Sequence, residues 1–202
     1  TQLSGSDKNG KPIKINETGN SMMIPLTGES DPLLMADFFP TALKLYEIMH
    51  VQNPSHQGIT IMTSSLYVMY ANAFVQHKAD MLPIDQYELQ NSEYKRAKMH
   101  YVRGRNYAME VFEQRYPGFS KNILSTDDDA AYWLGASWLG AWSVDPLDPF
   151  LLPTVSGAVA LLEKAALLDP SYNEGAIWDI LTSFYAGAPS DFGGSMERAL
   201  EV

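Results

Sequence analysis

Ala158, Leu162, Ala165 and Pro170 stand at intervals of four, three and five residues, and no other feature of the chain constrains its fold as tightly. On a helix of about 3.6 residues per turn, positions 158, 162 and 165 share one face. Two small residues around a leucine let a second helix come close, and the proline ends the segment and starts the next turn. The spacing is a packing rule for helix hairpins. The rest of the chain is punctuated in the same way. Leu34, Phe38, Leu45, Ile48 and Met49 recur at largely helical spacing over 33–51, and Asn53-Pro54 ends that pattern. Over 57–80 a stripe of Ile59, Met62, Leu66, Met69, Ala73 and His77 predicts an internal helix, with Tyr67, Val68, Tyr70 and Phe74 on its other faces. Residues 85–116 predict an amphipathic helix with Tyr94, Ala97, Tyr101, Gly104, Ala108, Val111 and Phe112 inward. Hydroxyls at Ser125 and Thr126 ahead of Asp127, Asp128 and Asp129 predict the capped start of a helix over about 127–142. Further helices are expected over 154–168, 172–186 and from 195 onward. With no alternating pattern to support strands, the fold class is all-α.

Composition narrows what such a fold does. The chain has 202 residues, 46% of them hydrophobic, enough for a substantial core. Its 14 Lys and Arg against 24 Asp and Glu leave a net charge of −10, which repels phosphate backbones and anionic membranes. Nucleic acid is not an expected partner. Asn72, Gln76 and Lys78 interrupt the longest apolar tract, so a soluble chain is expected. The absence of cysteine removes disulfides, thiolate metal sites and cysteine nucleophiles, and it suits the cytosol and the periplasm equally. Residues 1–32 are rich in Ser, Gly, Asn, Thr and Lys and carry Pro12, Pro25 and Pro32; they read as a polar leader, with the helical domain over 33–202. A start at Thr1 implies a boundary or the removal of a targeting segment ahead of it.

The Ala158 spacing is that of a tetratricopeptide repeat. A looser copy is Ala42, Tyr46, Met49 and Pro54, and Leu134-Gly135 followed by Trp138 resembles the core of a first repeat helix. Gly194 to Ala199 reads as the opening of another second helix, so the array is expected to be cut short at Val202. A superhelical array of antiparallel helix hairpins follows. Four ordered segments carry a more specific likeness: Pro40-Thr41-Ala42-Leu43-Lys44-Leu45-Tyr46-Glu47, Tyr70-Ala71-Asn72-Ala73-Phe74-Val75-Gln76, Arg115-Tyr116-Pro117-Gly118-Phe119 and Asn173-Glu174-Gly175-Ala176-Ile177. Over roughly 33–202 the chain resembles the T-component family of tripartite ATP-independent periplasmic (TRAP) transporters. The resemblance implies a periplasmic lipoprotein with degenerate tetratricopeptide repeats, a homotrimer that binds the solute-binding P-component, and an apolar channel for hydrophobic ligands. A family lipoprotein begins at an acylated cysteine, which this chain lacks, so the anchor is expected to be lost with the leader.

The residues argue for holding rather than catalysis. Ala130 to Val144 contains no charge and carries Trp133, Trp138 and Trp142, a composition that suits either core packing or the wall of an apolar cavity. Tyr70, Phe74, Trp133, Trp138, Trp178 and Tyr185 are the candidate ligand-binding residues of such a cavity. The four histidines are scattered, and only His77 with Asp80 has chelating spacing, so no metal and no cofactor are expected. Asp127 to Asp129 lacks the glycine and distal glutamate of a calcium loop. Asp191-Phe192-Gly193 matches a kinase tripeptide by chance, since no Gly-rich loop or His-Arg-Asp segment accompanies it. Lys95, Arg96, Lys98, Arg103 and Arg105 form a basic stretch that suits an acidic partner or a solvated face. The expected function is a non-catalytic transporter scaffold. The alternatives are a peptide-binding co-chaperone module and a stand-alone binder of hydrophobic ligands. Residues 130–162 lack the lysine and asparagine that a carboxylate clamp requires, which disfavours the co-chaperone reading.

Overall fold

A computed structural model describes residues 28–118 and 131–202, together with Leu26. Every regular element among them is helical: α1 (Pro32–Gln52), α2 (Gln57–Asp80), α3 (Tyr87–Arg115), α4 (Ala131–Ser143), α5 (Val155–Leu168), α6 (Ala176–Gly187) and α7 (Met196–Glu201). Short 3₁₀ turns at Ile84–Gln86, Leu152–Thr154, Tyr172–Gly175 and Ser190–Phe192 join them. The protein is all-α, as the periodicity predicts. The chain forms two compact units, Thr1–Thr41 and Ala42–Val202, so the division falls inside α1. The acidic cap at Ser125 to Asp129 and most of the polar leader lie outside the described residues.

Within the larger unit, consecutive helices run antiparallel. Glu47 and His50 of α1 meet Tyr67 and Thr60 of α2. Arg115, Gly104 and Arg96 of α3 meet Gln57, Ser64 and Tyr70 of α2 in reverse order. Lys98 and Tyr101 of α3 reach Asp145 and the Gly140 backbone beyond and within α4. Gly135 and Trp138 of α4 meet Leu162 and Thr154 on and before α5. The short connections at 53–56 and 81–86 leave the chain little choice but to turn back there.

The small-residue rule holds where the spacing placed it. Ala158, Leu162 and Ala165 are buried, and a Cβ on Gly135 would sit 2.5 Å from Leu162 Cγ. The α3–α4 seam is equally tight, since a Cβ on Gly140 would lie 2.4 Å from Tyr101 Cε1. Helix axes approach this closely only when one helix presents no side chain.

Two expected apolar faces are corrected. On α1, Leu34, Phe38, Leu45 and Ile48 are exposed, whereas Met35, Phe39, Ala42, Leu43 and His50 are buried. Both lines repeat every three or four residues, and only packing chooses between them. On α2 the expected stripe fails after Leu66: Ala73 and His77 are exposed, while Tyr70, Ala71, Val75 and Ala79 are buried. Ahead of residue 71, Thr60, Thr63 and Tyr67 already take the inward line from half-buried Ile59 and Met62, and the wider turns of a π-helical stretch at Ala71–Gln76 rotate the later residues further. Residues Gln57–Asp80 are long and apolar enough by length and composition to cross a membrane, yet 56% of that window is buried against neighbours, as in a core helix.

Candidate functional site

A polar seam runs where α1, α2 and α3 meet, and α3 supplies its floor. Glu93, Arg96, His100, Arg103 and Tyr107 recur three or four residues apart, so they share a face beside the apolar line of Ala97, Tyr101, Gly104, Ala108 and Val111. Ser64 of α2 donates its hydroxyl to the Gly104 carbonyl at 2.8 Å, and a side chain at 104 would meet Ser64 O and Val68 Cγ2, each at 3.1 Å. Close approach at this glycine brings the tyrosines of α2 over the histidine of α3.

Glu47 of α1 gathers one end of the seam. It accepts from Tyr67 Oη at 2.5 Å, from Tyr107 Oη at 3.3 Å and from Lys44 Nζ at 2.6 Å. Burial alone would raise the Glu47 carboxyl, but the donors Lys44 and Tyr67 outweigh it and hold the group below its ordinary range. Burial and the Glu47 hydrogen bond push the Tyr67 phenol up to about 12. His50 closes this end: its Nδ1 lies 2.9 Å from Thr60 Oγ1, its Nε2 lies 3.5 Å from Glu110, and its ring meets Tyr107 edge-on at 5.1 Å.

The other end is held by Glu93, 9% exposed, which accepts from Lys78 at 2.6 Å and Arg96 at 3.2 Å. The Lys78 hydrogen bond lowers its carboxyl most, with Arg96 adding to the effect. Arg96 also donates to Tyr70 Oη at 2.7 Å and lies 5.6 Å from that ring's centre.

His100 sits between these two ends. It is 8% exposed, stacks on Tyr67 at 5.7 Å and meets Tyr70 edge-on at 5.2 Å. Neither ring nitrogen has a hydrogen-bond partner. Burial, reinforced by the positive charges of Arg96, Arg103 and Lys44, pushes its pKa down to about 4. At neutral pH the ring is therefore an uncharged donor and acceptor, each left unmade at a cost of roughly 1–3 kcal/mol.

The six residues expected to line an apolar cavity fall in several surroundings. Tyr70 and Phe74 adjoin at 6.1 Å beside His100. Trp138 donates to Thr154 Oγ1 at 2.9 Å and carries the Arg105 guanidinium 5.4 Å from its ring centre. Trp133 pairs with Tyr132 at 4.8 Å, and Trp178 donates to the Pro170 carbonyl at 2.9 Å. Tyr185 donates to Glu163 and lies under Arg198 at 4.4 Å. A separate open depression of about 280 Å³ lies on the outer side of α1, lined by Lys44, Glu47, Ile48, Val51 and Gln52.

The hydroxyls of the seam serve structure: Ser64 binds Gly104, Thr63 donates to the Ile59 carbonyl, and Thr60 pairs with His50. Among the described residues no group of three or more His, Asp or Glu side chains is arranged to hold a metal. Asp80, half of the His77 pair, accepts from Tyr94 Oη at 2.8 Å. The kinase-like tripeptide is a turn, with Gly193 at φ +96° closing Ser190–Phe192. The sequence alone did not single out Glu47, Glu93 and His100; Glu93 and His100 belong to a polar stripe on α3, one position away from its apolar stripe, and Glu47 on α1 had no such signal.

Residues 28–202 match the TRAP transporter T-component family. The chain belongs to that family. The chain is also 44% identical over 188 residues to a protein of Treponema pallidum (strain Nichols) described as uncharacterized, an overlap covering 86% of the chain and 58% of that relative. It thus spans under two thirds of the relative's length. Family membership associates the chain with TRAP transport, and the family is one of transporter components rather than of enzymes.

Proposed function

We propose that the protein is a non-catalytic periplasmic scaffold of a TRAP transporter, one that binds the solute-binding P-component and holds or passes an apolar ligand. The observation that carries this reading is the family match across 28–202, which takes in every helix described above. The segments supporting it are spread along the sequence from Pro40 to Ile177, as expected when they preserve a scaffold rather than a local reaction centre.

The reading includes a homotrimer anchored through an N-terminal lipid. Support for association between copies comes from the outer side of α1, where Leu45, Ile48 and Val51 are 53%, 55% and 75% exposed. An apolar line of this kind gains by meeting its own copy. The uncharged helix α4 and the aromatic residues Tyr70, Phe74, Trp133, Trp138, Trp178 and Tyr185 support the apolar-ligand part.

Co-sedimentation of the full-length protein with the P-component of its own transporter tests the assignment. A complex at micromolar concentration is expected. No complex with that P-component at tenfold higher concentration would remove the scaffold reading.

A further inference from the structure

We infer that the seam around His100 seats the oxyanion headgroup of an amphiphilic ligand whose apolar body lies along Tyr70 and Phe74. This rests on the reading that the protein holds an apolar ligand, and adds a polar end to it. The first observation is His100 itself, buried to 8% exposure with both ring nitrogens unpartnered. A buried donor persists without a partner at a cost that a bound acceptor removes.

The second observation is the distribution of charge. In a chain of net charge −10, three cations, Arg96, Arg103 and Lys44, act on this one imidazole against one carboxylate, Glu47. Lys44 and Arg96 share the carboxylates of Glu47 and Glu93. Arg103 lies 5.9 Å from the Tyr67 ring centre, and among the described residues no carboxylate stands within ion-pair distance of it. Arg103 hydrogen-bonds Tyr67, and a guanidinium has five N–H donors; beside an unpartnered imidazole N–H the remaining ones suit the oxygens of a carboxylate or phosphate. The same positive field disfavours a metal cation.

The third observation is access. The side chains of Lys44 and Arg96 are 64% and 43% exposed, so rotamer changes in two long side chains can uncover the ring. The ligand's body then meets aromatic faces, and the π-helical stretch after Tyr70 sets where Phe74 stands. Arg105 offers a rival seat, since it too lacks a carboxylate within ion-pair distance among the described residues and lies over Trp138.

The test compares decanoate, decyl phosphate and decanol, each below its micellar concentration, by calorimetry and by the side-chain nitrogen resonances of His100. At least one anionic probe is expected to bind roughly tenfold more tightly than decanol, as a charge-assisted hydrogen bond implies, and to shift the His100 resonances. The order of the two anions tells carboxylate from phosphate. Arg103→Gln, at an exposed position, should remove the preference for the anion and leave decanol binding unchanged, and His100→Phe should do the same with the helical spectrum intact. Equal binding of decanol and both anions, or unmoved His100 resonances, overturns the headgroup site while leaving the apolar-ligand reading standing. Loss of the preference in Arg105→Gln but not in Arg103→Gln moves the seat to Trp138 and also overturns it. Failure of all three probes to bind overturns both.

Discussion

His100 sits in a setting far from its ordinary chemistry, and its titration is open to measurement. The unfolded chain takes up a proton near pH 6.5, whereas the folded ring refuses it until about pH 4. Between those values the unfolded state binds more protons, so stability falls as the pH drops from 6.5 to 4, and the loss is complete below 4. The full effect is on the order of 3 kcal/mol. Urea denaturation at pH 7, 5.5 and 4.5 should show a progressive loss, and His100→Phe should flatten that slope. The lowered carboxyls of Glu47 and Glu93 act in a different window: their stabilisation is present above about 4.5 and lost below it. They add to the loss at pH 4.5, so the step from pH 7 to 5.5 is the one that reports the histidine. None of this was legible in His100 as a letter, because the same residue on a solvated face titrates normally.

Helix contacts show which sequence signals survive folding. Gly140 and Gly135 mark seams where a neighbour's side chain occupies the place of a Cβ. At Gly140 the neighbour is the buried Tyr101 ring, which has no room to withdraw, so Gly140→Ala should destabilise the protein by about 1–3 kcal/mol in chemical denaturation. Alanine's better helix propensity, worth up to about 1 kcal/mol, offsets part of this and does not reverse it. A gain in stability would mean that the α3–α4 seam yields more easily than its geometry indicates. The inner face of α3 was readable because its apolar line keeps one period from Ala97 to Phe112. That of α2 was not readable, since Thr60 and Thr63 hold part of its inward line and a π-helical stretch then shifts the register without an obvious mark in composition. On α1 two apolar lines compete, and periodicity alone does not rank them.

Exposed Leu45, Ile48 and Val51 carry the consequence for the molecule in solution. If this line joins copies into the proposed trimer, the double variant Leu45→Asp and Ile48→Asp should sediment as a monomer with its helical spectrum unchanged. A trimer persisting in that variant would place the contact elsewhere. The sequence by itself determined the all-α class, the helix boundaries to within a few residues, the tight pairing around Ala158, Leu162 and Ala165, and, through ordered motifs, the family. Those properties follow from local spacing and punctuation, which act on neighbours along the chain. Tertiary structure alone decided which side of α1 turns inward, how α2 rotates after Tyr70, and that Glu47, Tyr67 and His100 gather from three different helices. Burial and the fields of distant charges depend on what lies across a helix interface, and that information is not held in any one segment.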